Sequence, residues 1–182
     1  MQLNLRDYPR IAIFVGIIAA LGLLPAVNVL PGVPVTAQTL GVMLTGAVLG
    51  SYRGLLSVFI FELLTLVGLP LLAGGRGGAA VFAGPTAGYI IGWLIGVWVI
   101  GFIFEKTGKL PLIVSALVAF IFGGIVAIYI PGILWFAYSQ GYPLAAVAQG
   151  NLVFLVGDSI KIVLAILVLL GLKAAYPKAL QN

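Results

Sequence analysis

Cysteine and histidine are absent from this chain. That excludes zinc and iron–sulfur ligation, disulfides, and thiol or imidazole catalysis. Charge is almost as scarce, at 7% of 182 residues against about 25% in a soluble domain. No G-x-x-x-x-G-K-[ST] string occurs, so any nucleotide hydrolysis must come from another chain. No nucleophile–base pair is visible, and neither an enzyme nor a resident cofactor or metal is expected. No polar stretch is long enough for a separate soluble domain, so residues 1–182 read as one transmembrane domain.

What is present is 63% hydrophobic, the composition of an all-α, polytopic membrane protein. The run after Arg6 and Arg10 continues past a signal-peptide core and is read as the first span. Six spans are predicted, over about 11–29, 36–49, 55–72, 86–104, 110–130 and 151–172. Pro31-Gly32-Val33-Pro34 cannot continue a helix and is read as a linker. Gly50-Ser51-Tyr52-Arg53-Gly54 and Glu105-Lys106-Thr107-Gly108-Lys109 are polar turns. Pro131-Gly132 is expected to break span five, and residues 133–150 are read as an interfacial loop or short helix.

The net charge of +5 would suggest nucleic acid in a soluble chain, but here the basic residues lie at span ends. Arg6, Arg10, Arg53, Lys106, Lys109, Lys173 and Lys178 share one side of a six-span topology, and only Arg76 falls in an opposite loop. The positive-inside rule then puts both termini in the cytoplasm. The outer loops, rich in Gly, Pro and aromatics, suit the entrance to a site.

The last span is the most informative. Asp158 and Lys161 stand in its middle third, three residues apart on one helical face, with Asn151 and Ala165 seven residues to either side. Charges inside a bilayer are costly unless they face a cavity, a ligand or each other. One reading is an ion pair that locks the helix to the bundle; the other is a polar binding site open to the outside. Glu62 is read as a structural hydrogen-bonder rather than a third site residue. Trp93, Trp98 and Trp135 fit either interfacial anchors or ligand stackers. Gly75-Arg76-Gly77-Gly78-Ala79-Ala80 echoes a dinucleotide fingerprint but lacks its strand–helix setting. It reads better as backbone that approaches a ligand closely, with Arg76 as an anion anchor. Ala12, Gly16 and Ala20 recur at four-residue spacing, which permits close helix packing, either within the bundle or against a partner.

Four blocks carry a family resemblance: Pro34-Val35-Thr36-Ala37-Gln38-Thr39-Leu40-Gly41; Leu69-Pro70-Leu71-Leu72-Ala73-Gly74-Gly75-Arg76-Gly77-Gly78; Gly84-Pro85-Thr86-Ala87-Gly88-Tyr89; and Gly157-Asp158-Ser159-Ile160-Lys161. In this order they resemble the biotin-specific S components (BioY family) of energy-coupling-factor transporters, over about residues 8–172. The resemblance implies the six-helix S-component fold in a prokaryotic cell membrane and a vitamin pocket open to the outside. It also implies a transmembrane T component and two cytoplasmic ATPases as partners. Thr36, Gln38, Arg76, Tyr89, Asn151, Asp158 and Lys161 are the expected biotin contacts, and Ala12, Gly16 and Ala20 the expected partner face. The chemistry agrees: a carboxylate and an ammonium on adjacent turns complement the N–H donors and the carbonyl of a ureido ring. The valeryl carboxylate can meet Arg76 or, in a reversed pose, Lys161. An S component for another vitamin and a small carrier using Asp158 and Lys161 as an ion relay are the alternatives.

Overall fold

The computed structural model describes residues 3–30 and 33–176. Pro31, Gly32 and Lys178, used in the reading above, lie outside the described residues. Helix α1 spans Asp7–Gly22, and strands β1 (Val27–Leu30) and β2 (Val33–Val35) form an antiparallel pair. Next come α2 (Gln38–Leu66), the short α3 (Ala79–Ala83) and α4 (Ala87–Lys106). Helix α5 (Leu112–Gln140) contains a π-helical stretch at Phe120–Val126. Helices α6 (Leu144–Asn151) and α7 (Phe154–Ala175) complete the bundle.

Four helices among the described residues are long and apolar enough to cross a membrane: α2, α4, α5 and α7. The expectation of six separate spans differs from this at α1 and α2. Helix α1 stops at Gly22, seven residues before the predicted end of span one. Leu24 precedes Pro25 and is therefore disfavoured in helical conformation, so the chain leaves α1 for the β-hairpin. Helix α2 unites predicted spans two and three, but Gly50 inside it has φ 78° and ψ −176°, outside helical geometry. A Cβ on Gly54 would lie 3.4 Å from Gly46 Cα. Eight residues of straight helix would separate these positions by about 12 Å. The two arms of α2 therefore fold back on one another at Gly50, a conformation open to glycine.

The break expected at Pro131-Gly132 is absent: α5 continues through Pro131 to Gln140, and the short helix α6 follows. Proline removes one backbone donor, and here the helix persists because its neighbours hold it. Gly88, Gly92 and Gly96 of α4 lie against the carbonyls of Pro131, Ile128 and Gly123, respectively, so closely that a Cβ at any of them would collide. This glycine stripe, at four-residue spacing, seats α5 on α4. Gly101 does the same against the Gly50–Ser51 backbone.

At the end of the bundle that holds Gly50, Arg53 Nε lies 3.0 Å from Asp7 Oδ1, and the Ser51 N–H donates to Glu105 Oε1 at 2.8 Å. The Asn4 N–H also donates to Asp7, and with Arg53 it holds that carboxyl below its ordinary range. The N-terminal segment, the α2 turn and the end of α4 thus meet at one end. At the other end Gln38 staples three segments: its Nε2 donates to Ile18 O and Leu71 O, and its Oε1 accepts from the Ala73 N–H.

Gly101→Ala is expected to lower the thermal midpoint of the detergent-purified protein, because overpacking against backbone costs about 1–3 kcal/mol. Gly16→Ala, whose added Cβ meets nothing within 4 Å, should leave the midpoint unchanged. Equal midpoints for the two variants would remove Gly101 from the packing of the α2 turn.

Candidate functional site

The residues that converge at the Gln38 end enclose a mostly apolar cavity, about 670 Å³ of open space when its mouth is included. Its walls come from the β-hairpin (Val33, Val35), the first arm of α2 (Thr39), α4 (Tyr89, Trp93), α5 (Ile128, Tyr129) and α7 (Asp158, Lys161). Val33 packs with Phe136, Val147 and Phe154 to roof one side.

Asp158 and Lys161 lie one turn apart on α7, where a spacing of three residues brings their side chains together. Lys161 Nζ donates to Asp158 Oδ1 at 2.7 Å and to Thr39 Oγ1 at 2.8 Å. Tyr129 donates its hydroxyl to the other carboxylate oxygen, Asp158 Oδ2. An ammonium has three donors, so one N–H of Lys161 is left for the cavity, and each Asp158 oxygen retains accepting capacity. The pair therefore offers one donor next to one acceptor, in an apolar space that strengthens both.

Arg76 also lines this cavity, at its loop side. Gly74 and Gly75 have φ +76° and +69°, the left-handed pair of a tight turn, and the Leu72 N–H closes the turn on Arg76 O. Arg76 Nε donates to Ala73 O at 3.2 Å, and its terminal nitrogens make no hydrogen bond among the described residues. The close approach expected of this glycine-rich loop is made by Gly77, and it is made to the Leu69 carbonyl.

The other expected contacts divide. Thr36 and Gln38 border the cavity, but the Gln38 amide is engaged by the three backbone groups of its staple. Tyr89 lines the cavity and donates to Asn151 Oδ1 at 2.6 Å. Asn151 belongs to α6 rather than to the helix that carries Asp158, and it is buried behind Tyr89. Glu62 is buried away from the cavity, and its Oε1 has no hydrogen-bond partner among the described residues. Trp93 faces the cavity; Trp98 is half-exposed and stacks on Phe102, and Trp135 donates to Gly84 O at 2.8 Å. Ala12, Gly16 and Ala20 are exposed together along α1.

Tyr129 and Thr39 were not singled out from the sequence. The signal for Tyr129 lies in the helix that carries it. Nine residues of α-helix turn through about 900°, which would place Tyr129 opposite the buried Phe120. A π-helical turn takes in about one extra residue and removes roughly 100° of that rotation. The π stretch at Phe120–Val126 thus swings Tyr129 toward the interior. Nothing in the local sequence announces such a turn beyond Gly123-Gly124. Thr39 sits within a block that was recognised, but its partner Lys161 is 122 positions away.

Below the pair, Ile162, Ala165 and Leu169 of α7 pack with Met43, Ala47 and Phe120. The polar region ends there among the described residues, so the cavity is a pocket reached from one end.

Comparison with known proteins accords with this geometry. The BioY family model matches residues 1–178. The biotin transporter BioY of Rhizobium etli is 43% identical over 182 residues, covering 96% of this chain and 97% of the relative. That of Rhodobacter capsulatus is 42% identical with the same coverage. A solved S component for biotin from an ECF-type ABC transporter superposes with a TM-score of 0.87 at 32% identity, covering 96% of this chain and 95% of the other. This chain, with its paired Asp158 and Lys161 at the end of a six-walled apolar cavity, belongs to the BioY family.

Proposed function

We propose that this chain is the biotin-capturing S component of an energy-coupling-factor transporter in a prokaryotic cell membrane. The observation that carries the reading is the Asp158–Lys161 pair, which turns one acceptor and one donor into an apolar pocket. A ureido ring presents N–H donors beside a strong carbonyl acceptor, the complement of that arrangement. The Asp158 carboxylate takes an N–H, and the remaining Lys161 N–H donates to the carbonyl. The thioether ring lies against Trp93, Ile128 and Tyr89, and the valeryl carboxylate reaches the terminal nitrogens of Arg76 as a charge-assisted pair. Thr36, Gln38 and Asn151 complete the pocket, Gln38 by shaping its rim and Asn151 by fixing Tyr89. An ion relay is disfavoured by the apolar packing of Ile162, Ala165 and Leu169 directly beneath the pair.

Six crossing segments follow if α1 and each arm of α2 count as one, together with α4, α5 and α7. The end of the bundle marked by the Asp7–Arg53 pair carries the basic residues and is assigned to the cytoplasm, with both termini. The pocket then opens outward. Uptake against a gradient needs ATP hydrolysis that this chain cannot perform, which is the role of a T component and two cytoplasmic ATPases. The exposed Ala12–Gly16–Ala20 lane on α1 is the proposed seat for a helix of the T component.

Asp158→Ala and Lys161→Ala should each weaken biotin binding to the purified chain at least about a hundredfold, roughly 2.7 kcal/mol, because each strands a buried charge. Arg76→Ala should cost less, as its position near the mouth is partly solvated. Equilibrium titration with labelled biotin measures all three, and wild-type affinity in a folded Asp158→Ala protein would reduce the pair to a structural lock.

Orientation is open to a direct test, since the chain has no native cysteine to interfere. In whole cells an impermeant maleimide should label Ala79→Cys and spare Ser51→Cys and Thr107→Cys. The reverse pattern would invert the topology.

Gly16→Trp should leave biotin binding by the isolated chain intact, because Gly16 faces away from the pocket. It should abolish both co-purification of the T component and ATP-driven uptake. Retained co-purification with undiminished uptake would remove the lane from the interface.

A further inference from the structure

We propose that Tyr129 is a positioning residue for ligand recognition: it acts through Asp158 and decides how sharply the pocket distinguishes an N–H from a blocked nitrogen. The inference rests on the reading of Asp158 as a ligand contact and adds to it the group that makes that contact directional.

Asp158 is held by Lys161 through one oxygen only. With that contact alone the carboxyl group can rotate and offer its second oxygen over a range of directions. It can also turn both oxygens onto the ammonium and withdraw from the cavity. The Tyr129 hydroxyl occupies Oδ2 and removes that freedom. A hydrogen bond to a charged acceptor is among the stronger ones, and it gains strength in an apolar surround. The two ties come from different helices, α5 and α7, so the orientation of the carboxylate is set by the bundle rather than by α7 alone. Lys161 is steadied in the same way from a third helix, through Thr39 on α2.

The backbone around Tyr129 is arranged for this aim. The π stretch at Phe120–Val126 ends three residues before it and supplies the rotation that turns it inward. Gly92 admits the Ile128 carbonyl and Gly88 that of Pro131, so α5 is seated tightly on both sides of Tyr129. π-helical turns inside α-helices occur frequently at functional sites, where they re-aim side chains. Ile128 and Tyr129 of the re-aimed stretch both line the cavity.

A double-mutant cycle with two ligands tests the assignment. Tyr129→Phe keeps the ring that packs against the cluster of Val33, Phe136, Val147 and Phe154 and removes only the hydroxyl. In the otherwise native, detergent-purified chain it should weaken biotin binding by about tenfold. In an Asp158→Asn background the same change should cost less than about twofold, because the group it positions has already been altered. Against a biotin analogue methylated on one ureido nitrogen, the native chain should discriminate strongly, and Tyr129→Phe should narrow that discrimination. A merely structural tyrosine would lower affinity for both ligands by the same factor, and it would cost as much in the Asp158→Asn background as in the native one. Either result overturns the proposal, as does wild-type affinity and discrimination in Tyr129→Phe. If Asp158→Asn itself binds biotin like the native chain, the underlying assignment of Asp158 fails. If Asp158→Asn weakens binding while Tyr129→Phe does not, only the role of Tyr129 fails.

Discussion

A carboxylate and an ammonium lie buried together in a bundle whose other walls are almost wholly apolar. Either charge alone would be strongly disfavoured there, and together they persist only because each is also held by a neutral hydroxyl. Lys161 reaches Thr39 on α2, and Asp158 is reached by Tyr129 on α5. The pair therefore depends on three helices meeting at one level, within hydrogen-bonding distance. Most other features of the fold can be understood as conditions for that meeting.

Close approach is the first condition, and glycine supplies it. Association of helices in lipid gains little from the hydrophobic effect and relies on packing. The Gly88–Gly92–Gly96 stripe lets α5 lie on α4 with carbonyls where side chains would otherwise stand. Gly54 lets the arms of α2 close on each other, Gly46 lies against Val97 and Ile100 of α4, and Gly101 receives the turn between the arms. The second condition is that backbone polar groups be satisfied wherever helices break, since lipid offers them no partner. Gln38 meets it at the pocket end, where its single amide serves α1 and the loop at 71–73. Glu105 meets it at the opposite end by accepting from Ser51.

These roles explain why a residue can border the pocket without being aimed into it. Gln38 is conspicuous in the sequence as a polar group at the start of a span, yet its amide is engaged by backbone. Asn151 is equally conspicuous, yet it stands behind Tyr89 and acts on the cavity through that ring. Conversely, Tyr129 is one of seven tyrosines and carries no mark of its own. It enters the site because a π-helical turn redirects it.

Much about this protein was decided by residue types and short spacings. A chain so poor in charge must sit in a membrane, and a pair of opposite charges three residues apart on an apolar helix must meet. The Gly74–Gly75 turn beside Arg76 could likewise be anticipated, because its geometry is local. Other features were settled only by tertiary structure. The turn at Gly50–Gly54 is legible in the sequence, but a helix pattern does not reveal that the chain is helical again from Ser51 onward, with only Gly50 outside helical geometry. Nor does it reveal that the helix continues through Pro131 to Gln140, because Pro131 is tolerated only where α4 receives the carbonyls around it. The small-residue lane on α1 and the glycine stripe on α4 look alike as strings, yet one is exposed and the other is packed against α5. The partners of Asp158 and Lys161 were equally hidden, because a hydrogen bond between positions 39 and 161 has no signature in either segment. Periodicity fixes which side of a helix a residue occupies, whereas the neighbour that side meets is set by how the helices pack.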